Sequence, residues 1–141
     1  MSSKDPRRST SSPAPIELRE VTKSAMSSTA SPITSHVLDT ARGRPAEGVP
    51  VSIDIERSGG WVRLAESVTN DDGRVPGFVA GHSLEQARYR VRFETAAYFS
   101  KQGVVGFYPW VEVVFDIAEC TQHYHIPLLI SPFGYSTYRG S

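Results

Sequence analysis

Val49-Pro50-Val51-Ser52-Ile53-Asp54-Ile55-Glu56 alternates apolar and polar residues, the period-two pattern of a strand with one buried and one wet face. Ser58-Gly59-Gly60 ends the run, and Trp61 to Val68 is predicted to return as the next strand. Asn70-Asp71-Asp72-Gly73 then supplies residues that tolerate left-handed backbone, so a tight turn is expected there, with Arg74 opening a short strand toward Phe78. Tyr89, Val91 and Phe93 alternate with Arg88, Arg90, Arg92 and Glu94, and Val111, Val113, Phe115 and Ile117 line a further strand face. Between these two strands, Ala96 to Gln102 closed by Gly103 predicts a short helix with a glycine cap. His123 to Pro132 reads as a buried strand, and Tyr135 to Ser141 as a strand paired back against it. Repeated short strands with one helix between two of them specify an all-β sandwich of about eight strands. The domain is expected over 32–141.

The chain has 141 residues, enough for one domain with a real core. Fifteen basic and fifteen acidic side chains give a formal net charge of zero, so no broad electrostatic surface for nucleic acid or acidic lipid is expected. No stretch approaches the roughly 18 consecutive apolar residues of a membrane span, and the N-terminus lacks the apolar run of a secretory signal. A soluble, unexported protein follows, cytoplasmic or peroxisomal. Cys120 is the only cysteine, which fits a reducing compartment and is read as a half-buried residue at a strand end. Residues 1–31 are rich in Ser, Thr and Pro with few apolar side chains, and are expected to form a disordered extension.

The chemistry-bearing residues follow from strand parity. Tyr124, Ile126, Leu128 and Ile130 must face the core, so His123, His125 and Pro127 project from the other side, where packing does not require histidine. His36 alternates in the same way with Val37, and Ser136, Tyr138 and Gly140 share a face of the terminal strand. Histidine exchanges protons near neutral pH, whereas Arg74 stays charged and suits an anion clamp or oxyanion stabiliser. Taken alone, each has a bland alternative: an exposed histidine, a solvated turn arginine. Three histidines also raise a zinc site, although no acidic residue adjoins the pair. A serine nucleophile is disfavoured, since no Gly-x-Ser-x-Gly elbow is present.

Ser35-His36-Val37-Leu38-Asp39-Thr40-Ala41-Arg42-Gly43-Arg44-Pro45-Ala46 near the start and Tyr135-Ser136-Thr137-Tyr138-Arg139-Gly140-Ser141 at the end together resemble the transthyretin family, specifically its enzyme branch of 5-hydroxyisourate hydrolases. The likeness extends from about Ile33 to Ser141. It implies a cofactor-free, metal-free hydrolysis of 5-hydroxyisourate to 2-oxo-4-hydroxy-4-carboxy-5-ureidoimidazoline. It further implies His36, Arg74 and His125 as catalytic residues, with Tyr138, Ser136, Arg139 and Ser141 joining His36 and Arg74 in substrate binding. The implied assembly is a homotetramer in which two dimers stack around a channel and facing subunits build each site. The alternatives are a carrier of a small aromatic ligand in the same channel and a metal-dependent hydrolase.

Overall fold

A computed structural model describes residues 31–141, and the extension expected over 1–31 lies, but for Ser31, outside the described residues. Eight strands are formed: β1 (Ile33–Asp39), β2 (Arg44–Pro45), β3 (Pro50–Arg57), β4 (Gly60–Val68), β5 (Ala87–Phe93), β6 (Val111–Ile117), β7 (Tyr124–Ser131) and β8 (Gly134–Thr137). A helix, α1 (Thr95–Ser100), separates β5 from β6, and Gly103 follows it with φ +71°. Two four-stranded sheets stack as a sandwich, ordered β2-β1-β7-β8 and β4-β3-β5-β6. The alternation read from 49–56 is the inner and outer face of β3, where Val51, Ile53 and Ile55 are buried. They meet Tyr89, Val91 and Phe93 of β5 on their own sheet, and Val37, Leu128 and Ile130 line the facing one.

Not every pairing is antiparallel. The first strand, β1, lies parallel to β7, with Thr34 opposite His125 and His36 opposite Pro127. A parallel pair needs a long crossover. Here the whole β4-β3-β5-β6 sheet is inserted between its two members. This arrangement sets histidines distant in sequence on adjacent strands.

Two local expectations are corrected. Arg74 opens no strand toward Phe78: it forms only an isolated antiparallel bridge with His36, after which the chain turns. Pro76 lacks the N–H that a ladder requires, and Gly77 adopts φ +66°, so pairing cannot propagate although Phe78 and Val79 are buried. Cys120 is exposed and free in the turn after β6, past the end of the strand that would have half-covered it.

Candidate active site on the β1–β7 face

Side chains directly paired across neighbouring strands share a sheet face. Thr34 and His36 of β1 therefore lie on the same outer face as His125 and Pro127 of β7, while Ser35 and Val37 between them are buried beneath. Ser35 locks the inner side by donating its hydroxyl to the Ile126 carbonyl at 2.7 Å.

The turn at 70–74 brings the arginine. Asn70 Oδ1 accepts hydrogen bonds from the backbone N–H groups of Asp72 and Arg74, at 2.9 and 3.0 Å, which coils the turn on itself. The N–H of Val37 donates to the Gly73 carbonyl at 2.8 Å and fastens the turn against β1. Only glycine fits at 73. Its φ is +76°, and a Cβ there would stand 2.4 Å from the Val37 carbonyl oxygen and 3.3 Å from the His36 ring. Arg74 uses Nε to bond Asp72 at 2.8 Å; among the described residues its two terminal nitrogens have no partner.

A second glycine seats the other imidazole. The N–H of Gly140 donates to the His125 carbonyl at 2.8 Å, and a Cβ at 140 would lie 2.5 Å from Cδ2 of His125 and 3.1 Å from its Cγ. The chain end thus lies flat against the ring. Ser141 then joins Thr34, Ser35, Arg74, Val75, Pro76, His123 and His125 around a hollow of about 370 Å³.

Burial is the largest influence lowering the pKa of both His36 and His125, and the positive charge of Arg74 lowers each further. Backbone and charge of Asp72 oppose this at His36, and the Thr34 backbone opposes it at His125. Both influences favour the neutral form of each ring, the form that can accept a proton. Nε2 of His36 is buried without a hydrogen-bond partner among the described residues, an unmet polar atom of the kind that structural histidines avoid.

Of the residues expected at the site, Arg74, His125 and Ser141 line this hollow, and His36 adjoins it through its bridge with Arg74 without lining it. Ser136 does neither. It pairs with Leu129, four residues along β7 from His125, or about 13 Å at the usual strand rise. Tyr138 is 61% exposed and borders a different hollow with Val113, Phe115, Tyr124 and Ile126. Arg139 is engaged elsewhere within the chain: its guanidinium stacks 4.5 Å from the centre of the Tyr124 ring and donates to Gln122 at 2.7 Å. Arg139 borders the same hollow as Tyr138, beyond the end of β8.

Thr34 was missed from the sequence. Its Oγ1 lies 2.8 Å from Nδ1 of His125 and 3.1 Å from Nε2 of His123, and its place two residues before His36 on the same face was the available signal. His123 and His125 are thus tied to a hydroxyl, and among the described residues no group of three or more His, Cys, Asp or Glu converges as metal ligands.

A larger hollow, about 640 Å³, lies on the other sheet among Asp54, Arg63, Arg90, Arg92 and Glu94. Its charges are bonded to one another, so size alone misleads there.

Comparison with known proteins agrees with the geometry. Residues 33–140 match the model of the HIUase/Transthyretin family. A 5-hydroxyisourate hydrolase of Mus musculus is 44% identical over 82% of this chain and all of its own length. The solved 5-hydroxyisourate hydrolase of Klebsiella pneumoniae is 40% identical, with a TM-score of 0.68 over 77% of this chain and 97% of its own. Sea bream transthyretin, solved with thyroxine, is 35% identical with a TM-score of 0.75 over 78% of this chain and 95% of its own. Backbone shape is therefore shared by the hydrolase and the thyroxine-bound transthyretin. On its fold, its motifs and these matches, the chain belongs to the HIUase/transthyretin family.

Proposed function

We propose that this protein hydrolyses 5-hydroxyisourate to 2-oxo-4-hydroxy-4-carboxy-5-ureidoimidazoline, opening the six-membered ring in urate breakdown. The observation that carries this reading is the pair of charge-depleted imidazoles, His36 and His125, beside a guanidinium whose terminal nitrogens are unengaged among the described residues. The similarity to curated 5-hydroxyisourate hydrolases supports it.

His36 and His125 take a proton from water as it attacks the ring carbonyl next to nitrogen. Arg74 holds the urate-like anion and stabilises the tetrahedral oxyanion through its planar fork. The Arg74 charge that depresses both histidine pKa values keeps the bases unprotonated, so clamp and base reinforce each other. Ser141 closes one end of the hollow.

The working form is a homotetramer with a channel between stacked dimers. The edge strands β6 and β8 and the exposed Val114, Phe133 and Tyr135 support association through this side of the sandwich. Facing subunits would bring Ser136 and Tyr138 toward a site they do not reach in one chain. The exposed, unpaired Cys120 supports a reducing compartment, cytoplasm or peroxisome.

The test is freshly prepared 5-hydroxyisourate followed by its ultraviolet absorbance with and without the assembled protein. Accelerated decay is expected. Unchanged decay, with saturable binding of an aromatic ligand such as thyroxine, would replace the enzyme reading by a carrier.

A further inference from the structure

Building on the assignment of His125 as a base, we infer that Thr34 and His123 form an outlet through which the proton taken by His125 leaves the site. Thr34 Oγ1 stands between the two rings, 2.8 Å from Nδ1 of His125 and 3.1 Å from Nε2 of His123. A hydroxyl has one proton to donate and lone pairs to accept with. The three groups therefore form a directed chain, in which Nδ1–H of His125 donates to Oγ1 and the Thr34 hydroxyl donates to Nε2 of His123. In that state Nε2 of His125 holds a free lone pair, the tautomer a base needs.

The two ends of the chain differ in access to water. His125 is half-buried, with Gly140 packed on its ring, whereas His123 is exposed ahead of β7. Hydrolysis of a ring amide forms a carboxylic acid that ionises at neutral pH, so each turnover releases a proton. The positive charge of Arg74, and that of His36 or His123 when protonated, acts against keeping it on His125.

The balance is as follows. The water oxygen bonds to the carbonyl carbon as its first proton passes to Nε2 of His125. The Nδ1 proton moves to Thr34, the former Thr34 proton moves to Nε2 of His123, and His123 releases its Nδ1 proton to solvent; once the product has left, proton exchange with water at Nε2 of His125 and at His123 restores both starting tautomers. The C–N bond then breaks, the nitrogen keeps the electron pair and takes the second proton of the attacking water, and the carboxylate retains the oxygen. Thr34 and His123 touch no reacting atom and are positioning residues for His125.

Thr34→Val removes the hydroxyl at nearly constant shape, and Thr34→Ser keeps it. The relay requires kcat of Thr34→Val to fall about tenfold, less than the loss of a group that transfers the proton itself, with KM little changed. Thr34→Ser should restore most of kcat. The proton inventory in mixed H2O and D2O should be bowed in the wild type and linear in Thr34→Val. Wild-type kcat in Thr34→Val, or a Thr34→Ser variant as impaired as Thr34→Val, would overturn the relay. His125→Asn measured in parallel separates the two levels: if it is inactive while Thr34→Val is normal, the relay alone fails. If His125→Asn is itself fully active, the base assignment fails with it.

Discussion

On the outer face of the β4-β3-β5-β6 sheet, Asp54 is 3% exposed and accepts hydrogen bonds from both Arg63 and Arg90. Arg92 bonds Glu94, Arg88 bonds Asp116, and Arg90 and Arg92 lie over the rings of Trp61 and Trp110. On the outer face of β2-β1-β7-β8, among the described residues, Nε2 of His36 lacks a partner and Arg74 spends one of its three nitrogens on Asp72. Burial raises the Asp54 pKa, but the hydrogen bonds from Arg63 and Arg90 outweigh it and hold the carboxyl below its ordinary range. Burial lowers the histidine pKa values, and Arg74 adds to the shift. One face neutralises its charges internally. The other leaves groups without partners among the described residues, which is how a surface prepared for a ligand differs from one prepared for folding.

That contrast breaks first at the histidines. Replacing His36 or His125 with Asn is expected to lower kcat by about 10²-fold or more while thermal unfolding barely shifts, because both rings lie outside the core. Normal turnover in both variants would make the unmet atoms incidental.

Gly140→Ala sharpens the comparison without touching a functional group. Its Cβ would meet the His125 ring at 2.5 Å, so either the ring or the chain end must move. A displacement of this kind is expected to lower kcat between about tenfold and about 10²-fold. The unfolding midpoint should change little, because residue 140 lies beyond the edge strand β8. Equal losses of stability and activity would show that the glycine serves packing alone.

Asp54→Asn probes the opposite face. Removing one member of a buried ion pair strands the others, and a loss of about 2–3 kcal/mol is expected, at the low end because Arg63 is half exposed. Steady-state kcat should stay at the wild-type value. Since the Asp54 pKa is depressed on folding, its contribution is present above the unfolded carboxylate pKa and disappears as pH falls through the folded one. Denaturant titrations at neutral and acid pH would show the difference shrinking.

Strand parity made most of this legible in advance. Val51, Ile53 and Ile55 announced β3, and Ile126, Leu128 and Ile130 placed His125 outside the core. What parity could not reveal was neighbourhood: nothing in the alternation says that β1 runs parallel to β7, yet that pairing puts Thr34 against His125. The glycines were visible as letters, but their role depends on backbone brought against a ring from elsewhere in the chain. In the proposed tetramer, the part played by Ser136 and Tyr138 would depend on a further level, the association of subunits.

The measurement that bears most directly on the unmet face is the pH dependence of kcat/KM for 5-hydroxyisourate, in the wild type and in Arg74→Gln, each scaled to its own plateau. Neutral His36 and His125 are required, so the wild-type rate should fall on acidification with a midpoint below about 6.5, the ordinary histidine value. Arg74 lowers both pKa values, so removing its charge must raise them and move the acid limb to higher pH. A midpoint displaced upward in Arg74→Gln is the predicted result. A profile flat through the histidine range in the wild type, or an acid limb that stays in place without the arginine, would contradict the account.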